Sequence, residues 1–120
     1  MAKILIIEDD KSLVKMYKTK LKIEGFETGV AFDGLEGLEK LKTFSPDLIL
    51  LDLAMPKMDG FVFLEKLKKE PKWQKTPVVI LTNLGQERDV QKAKELGAKD
   101  YLIKVNLTPK QVVEKIKKFL

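Results

Sequence analysis

The chain reads as an α/β protein built on a parallel β-sheet, and three features of the sequence carry that reading. Four runs, Ile4-Leu5-Ile6-Ile7, Leu48-Ile49-Leu50-Leu51, Val78-Val79-Ile80-Leu81 and Tyr101-Leu102-Ile103, are apolar throughout rather than alternating, as strands covered on both faces require. Stretches with helical spacing and short connections alternate with strand patterns five times. Each run ends in polar residues: Glu8-Asp9-Asp10, Asp52, Thr82-Asn83 and Lys104. Parallel strands all point one way, so these ends would meet at one edge of a shared sheet, where open α/β sheets bind ligands.

The first strand covers about Lys3 to Ile7. A helix from about Lys11 to Ile23 follows, with Leu13, Met16, Tyr17 and Leu21 spaced to line one face and Gly25 as its C-terminal cap. A weaker strand, about Glu27 to Ala31, leads to Asp33, whose carboxylate can cap the helix carrying Leu35, Leu38 and Leu41, with Glu36 in its first turn. Pro46 ends that unit. After the strand that closes on Asp52, Gly60 opens a helix with Phe61, Leu64 and Leu67 that stops before Pro71. Pro77 begins the strand Val78 to Thr82, and a helix from about Gln86 to Leu96 ends at Gly97, a left-handed cap. The last strand runs from about Asp100 to Lys104. Thr108-Pro109-Lys110-Gln111 combines a hydroxyl N-cap, a proline at the first helical position and Gln at N3 for a capping box. Val112, Val113, Ile116, Phe119 and Leu120 then recur at helical spacing.

A chain of 120 residues forms one domain able to bury roughly two thirds of its unfolded surface. There is no cysteine and no histidine, which excludes disulfides, thiolate metal sites, thiol catalysis and imidazole bases. The chemistry must come from carboxylates, hydroxyls and lysines. The net charge of +5 comes from lysines interleaved with Glu, and Arg88 is the only arginine, so no nucleic-acid surface is expected. No apolar stretch approaches the roughly 18 residues of a membrane span. Met1-Ala2-Lys3-Ile4 enters a strand at once, so no signal peptide and a cytoplasmic location are expected.

Two carboxylates from one strand end and a third from its neighbour repel one another unless something neutralises them. A hard divalent cation does so, and all-oxygen ligands without His or Cys favour Mg²⁺ or Mn²⁺ over zinc. Lys104 can hold an anionic oxygen as a point charge, and Thr82 can donate a hydrogen bond to another. Together these describe a phosphoryl site in which Asp52 could act as in-line nucleophile and become an aspartyl phosphate. Taken singly, each residue has a plainer reading. Asp10 is a helix N-cap, Glu8-Asp9 a solvated strand end, Asp52 turn chemistry, Thr82 a β-former and Lys104 a solvated lysine. Their conjunction at four strand ends is what favours the site.

Four stretches carry a resemblance over essentially the whole chain: Ile4 to Asp10, Pro46 to Gly60, Pro77 to Thr82 and Gly97 to Lys104. They resemble the response-regulator receiver domains of two-component signalling. The resemblance implies a doubly wound, flavodoxin-like five-stranded parallel sheet in the order 2-1-3-4-5 with five helices, and residues 1–120 as one receiver domain without an effector domain. It implies Asp52 as phosphoacceptor, Asp9 as direct Mg²⁺ ligand, Glu8 as an acid acting through metal-bound water, and the Ala54 main-chain carbonyl as a further ligand. Thr82 and Lys104 would bind phosphoryl oxygens. A switch would follow, with Thr82 moving toward the phosphoryl group and Tyr101 turning inward to reshape the face of the fourth helix, last strand and last helix. For Tyr101, core or edge packing is the plainer alternative. The implied donor is a histidine kinase, a phosphotransfer protein or a small acyl phosphate, with kinase docking near Leu13, Val14 and the loop after Lys104. A downstream protein target and a monomer that could dimerise on phosphorylation complete the picture, with no membrane partner. Such a domain catalyses only its own phosphorylation and dephosphorylation.

Two departures from the family pattern stand out. Val105 follows Lys104 where most receivers carry a proline after a cis bond; a cis bond before a non-proline residue costs roughly 2.5–4 kcal/mol, so a trans peptide and a differently shaped loop are expected. Ala54 and Leu84 occupy the positions that influence water attack on the phosphoaspartate, and neither can orient a water, which implies slow self-dephosphorylation. Three rivals remain. A flavin-mononucleotide carrier would have its phosphate repelled by Glu8-Asp9-Asp10, and an aspartyl phosphatase would need a second acid two residues after Asp52, where Ala54 stands. A degenerate receiver acting as a phosphorylation-independent interaction module, or a designed receiver without a natural partner, would show the same residues.

Overall fold

The apolar runs form strands where the sequence places them, and their flat, two-sided burial decides the architecture. The computed structural model describes residues 1–120. Strands β1 (Lys3–Ile7), β2 (Glu27–Ala31), β3 (Leu48–Leu51), β4 (Val78–Thr82) and β5 (Asp100–Ile103) make one sheet in the order β2-β1-β3-β4-β5. Every neighbouring pair is parallel. Helices α1 (Lys11–Ile23), α2 (Gly34–Lys40), α3 (Gly60–Lys69), α4 (Glu87–Glu95) and α5 (Pro109–Ile116) supply the crossovers and the chain's last long element. This is the doubly wound arrangement that the resemblance implies.

Successive strand residues face opposite sides. Ile4, Ile6, Leu48, Leu50, Val79 and Leu81 meet Val14, Tyr17 and Leu21 of α1 and Val112, Val113 and Ile116 of α5. Leu5, Ile7, Ile49, Leu51, Val78 and Ile80 meet Leu41 after α2, Phe63, Leu64 and Leu67 of α3, and Ala93 of α4. Four of the five helices are started by their own polar signal, whereas α4 begins after Gln86 without a side-chain cap. Asp10 accepts from the Ser12 and Leu13 amides, Asp33 from Glu36, Asp59 from Val62, and Thr108 and Gln111 close the capping box of α5. Gly25 and Gly97 take the left-handed φ values of 89° and 98° that a side chain would resist.

Several details differ from expectation. Gln86 and Leu96 cap α4 rather than belonging to it, and β5 ends at Ile103, with Lys104 opening a 3-10 turn through Asn106. The last helix gives way to a 3-10 turn at Lys117–Phe119, leaving Leu120 46% exposed. Met16 and Leu35, read as apolar-face residues, are 41% and 49% exposed. On α1 the buried stripe is Val14, Tyr17 and Leu21, a narrower set than leucine and methionine spacing implies, because the helix shares its face of the sheet with α5.

Gly60 sits where the chain leaves β3 and enters α3. Its N–H donates to the Leu53 carbonyl at 2.9 Å. A Cβ there would lie 2.7 Å from the Leu53 Cα and closer still to the Asp52 carbonyl oxygen, so a side chain must displace backbone that carries the central acid. Gly60→Ala is therefore expected to destabilise the fold by roughly 1–3 kcal/mol, measured by urea denaturation. A change near zero would mean that the Asp52 segment yields freely.

Candidate functional site

The parallel register delivers the acids. Ile7 pairs with Leu51 at the last step between β1 and β3, and beyond it the Glu8 amide donates to Ala31 and the Asp52 amide to Ile7, both at 3.0 Å. Glu8 and Asp52 thus emerge side by side from adjacent strands, 3% and 4% exposed, while Asp9 is exposed at the mouth. One carboxylate oxygen from each of Glu8, Asp9 and Asp52 lies within 4.8 Å of the other two.

Lys104 reaches this cluster from β5. Its ammonium donates to Asp52 Oδ2 at 3.0 Å and pairs with Glu8 Oε1, and its side chain is only 10% exposed. The remaining oxygens have backbone donors: Asp10 N–H to Glu8 Oε2 at 3.1 Å and Ala54 N–H to Asp52 Oδ1 at 3.4 Å. Burial pushes the Glu8 carboxyl up to about 7, with the Asp52 charge adding to it and Lys104 and the Asp10 amide opposing. For Lys104, desolvation pulls the other way but the Glu8 and Asp52 carboxylates outweigh it, holding its pKa above the ordinary lysine range. Tyr17, Glu8 and Asp52 line one narrow crevice, and burial raises the Tyr17 phenol, which stays neutral.

Thr82 ends β4 with no exposed surface, and its Oγ1 accepts from the Leu84 amide at 3.3 Å. The Tyr101 hydroxyl donates to the Leu84 carbonyl at 2.5 Å, and desolvation raises that phenol to about 12. Leu84 therefore carries main-chain bonds to both residues. The Ala54 and Leu84 side chains are exposed beside the site.

The structure brings Glu8, Asp9, Asp52 and Lys104 into contact range, and sets Thr82 and Tyr101 on the adjoining loop. Asp10 is the helix cap of the plainer reading. All peptide bonds are trans, Lys104-Val105 included. Three features went unread in the sequence. The Val105 amide donates to Asn83 Oδ1 at 3.2 Å. Lys57 adopts φ 64° inside a turn that the Met58 amide closes on the Pro56 carbonyl at 2.7 Å. The start of α2 braces that turn, through Gly34 N–H to the Met58 carbonyl at 3.2 Å and Asp33 to Lys57 at 3.7 Å. None of these has a periodicity signal; only a bare N–H at position 105 hints at the first.

Known proteins share this architecture. Residues 4–117 match the family described as the response regulator receiver domain. The chemotaxis protein CheY of Treponema pallidum is 43% identical over 117 residues, taking in 95% of this chain and 79% of that protein. The DNA-binding dual master transcriptional regulator RpaA of Synechocystis sp. is 38% identical over 104 residues, 87% of this chain and 43% of that protein, so this chain spans under half of that relative's length. Among solved structures, Vibrio cholerae chemotaxis protein CheY4 superposes with a TM-score of 0.93 at 31% identity, covering 100% of this chain and 99% of that one. The Mn²⁺-bound form of response regulator Rcp1 gives a TM-score of 0.86 at 32% identity over 99% and 94% of the two chains. The acid edge, the strand order and a match over nearly all its length agree, and the chain belongs to the response regulator receiver domain family.

Proposed function

We propose that this chain is a phosphoacceptor switch of a two-component phosphorelay, taking a phosphoryl group onto Asp52 from a phosphohistidine donor in a magnesium-dependent step. The observation that carries the reading is the Lys104 ammonium shared between Glu8 and Asp52, with Asp9 alongside. A carboxylate destined to attack phosphorus must be buried enough to be positioned, yet compensated enough to stay ionised. Here the compensation comes from a group that can pass to a phosphoryl oxygen as negative charge arrives.

In the step itself, an Asp52 carboxylate oxygen attacks phosphorus in line and forms the new P–O bond. The P–N bond to the donor imidazole, or the P–O bond to the carboxylate of an acyl phosphate, breaks, and its electron pair leaves with the donor. Lys104 Nζ and the Thr82 hydroxyl hold phosphoryl oxygens. To bond them, Thr82 turns from the Leu84 amide, and the Tyr101 contact to the same residue carries the change to the α4, β5 and α5 face. The all-oxygen donor set, with its oxygens within 4.8 Å, fits a hard divalent cation. Asp9, Asp52 and the Ala54 carbonyl would hold it directly and Glu8 through water. When bound, Mg²⁺ or Mn²⁺ supplies charge neutralisation for the carboxylates and the phosphoryl oxygens. No helix is long and apolar enough to cross a membrane, and the reading is of a cytoplasmic domain serving a kinase or phosphotransfer protein on one side and a protein target on the other. Its catalysis is limited to its own phosphorylation and dephosphorylation.

The deciding experiment is incubation with a small acyl phosphate, with and without Mg²⁺, read by intact mass. One phosphoryl adduct is expected, dependent on metal and absent in Asp52→Ala. No adduct on a folded, metal-binding protein would transfer the weight to a phosphorylation-independent interaction module.

Because Ala54 and Leu84 offer no group to orient an attacking water, the adduct should persist for minutes or longer after the donor is removed. Loss within seconds would contradict this.

Glu8 gives a pH signature in metal-free protein. Its folded pKa of about 7 lies above the ordinary 4.5, so between these values the folded state holds more protons and stability falls as pH rises. Lys104 stays charged throughout that window. Relative to Glu8→Gln, the wild type should lose roughly 1–3 kcal/mol between about pH 5 and about pH 8 in chelator, measured by chemical denaturation. Parallel pH profiles for the two proteins would show that Glu8 is ionised at an ordinary pH.

A further inference from the structure

Backbone pairing between β4 and β5 ends at Thr82 with Ile103. Lys104 lies one residue beyond, where no ladder bond holds the main chain, at the start of the 3-10 turn Lys104–Asn106. The first N–H groups of such a turn have no partner inside it. One of them, on Val105, donates to Asn83 Oδ1 at 3.2 Å. Asn83 directly follows the fully buried Thr82, so its main chain is anchored. Val105 itself is 78% exposed, and its side chain contributes no packing that would fix the turn. The side-chain amide of Asn83 therefore extends the sheet by one step, with the amide oxygen standing in for a strand carbonyl.

We infer that Asn83 is a positioning residue for phosphoryl transfer, which clamps the Val105 amide and so fixes the main chain from which Lys104 reaches Asp52 and Glu8. The inference rests on the phosphoacceptor reading above. Lysine is a point charge on a flexible four-carbon stem, so the placement of its Cα decides how often the ammonium is in register with the phosphoryl oxygens. A proline at 105 would have no N–H to give and would fix φ by its ring instead. In this chain the hydrogen bond does that work.

The test is a double-mutant cycle of wild type, Asn83→Ala, Val105→Pro and the double variant. The readout is the first-order phosphorylation rate at saturating acyl phosphate and Mg²⁺. Asn83→Ala should slow phosphorylation about tenfold, with the Mg²⁺ concentration for half-maximal rate changed by less than roughly twofold, since Lys104 is not a metal ligand. In the Val105→Pro background the same substitution should change the rate by less than roughly twofold, because the donor is already gone. Hydrogen exchange at the Val105 amide, expected to be about tenfold faster in Asn83→Ala, reads the clamp without any phosphoryl transfer and without the proline variant. An unchanged rate in Asn83→Ala, an equal loss in both backgrounds, or unchanged exchange overturns the clamp alone. A wild type that takes no phosphoryl group overturns the phosphoacceptor reading and the clamp with it.

Discussion

Lys104 carries its charge across the sheet to two buried carboxylates, and the strand order decides that only a side chain of its length can do so. Asp52 leaves β3 and Lys104 leaves β5, with β4 between them. Two strand spacings amount to about 10 Å, which an extended lysine spans in large part and a shorter amine would not. The middle strand ends between them in Thr82, which is buried with its hydroxyl accepting from the Leu84 amide. Without the ammonium, the burial and like charge that raise the Glu8 carboxyl would lose their largest opponent.

The same arithmetic explains why the surrounding loops are tightly bonded. The turn after Asp52 spends backbone strain at Lys57 to change direction, and α2 holds it through Gly34 and Asp33. On the other side, the loop after Thr82 is tied through Leu84 to Thr82 by its N–H and to Tyr101 by its C=O. A single peptide segment thus reports on both side chains. If the Thr82 hydroxyl turns toward an anion, the Leu84 amide loses its acceptor, and the carbonyl that receives Tyr101 sits in the same short segment. Coupling of this kind needs no long pathway, only two hydrogen bonds sharing one residue.

Much of this was legible in the residues. The strands could be placed because buried parallel strands show as unbroken apolar runs, and the helix starts because Asp10, Asp33 and Thr108 leave capping signals that depend only on local sequence. The helix faces were less legible: Met16 and Leu35 fit the spacing but fall at the edges of stripes whose width is set by tertiary packing. At the site, residue types and strand ends were enough to bring Glu8, Asp9, Asp52 and Lys104 together. The division of Lys104 between Glu8 and Asp52, the left-handed Lys57 and the Asn83 bond to Val105 were not, since each depends on register or loop conformation, which no periodicity encodes.

Val105 shows how one departure redistributes constraint. A proline stiffens its loop from within, independently of its neighbours, by fixing φ and removing a donor. Valine leaves φ freer and exposes an N–H that must find an acceptor or water. By taking Asn83 as that acceptor, this chain makes the loop after β5 depend on the loop after β4. The segment from which Lys104 extends is then bonded to the residue next to Thr82, and the two side chains stand on loops joined by a hydrogen bond. Rigidity supplied by a ring is constant, whereas rigidity supplied by a hydrogen bond lasts only while its acceptor stays in place. In this receiver, any movement of the Thr82 segment is therefore also a movement of the support beneath Lys104.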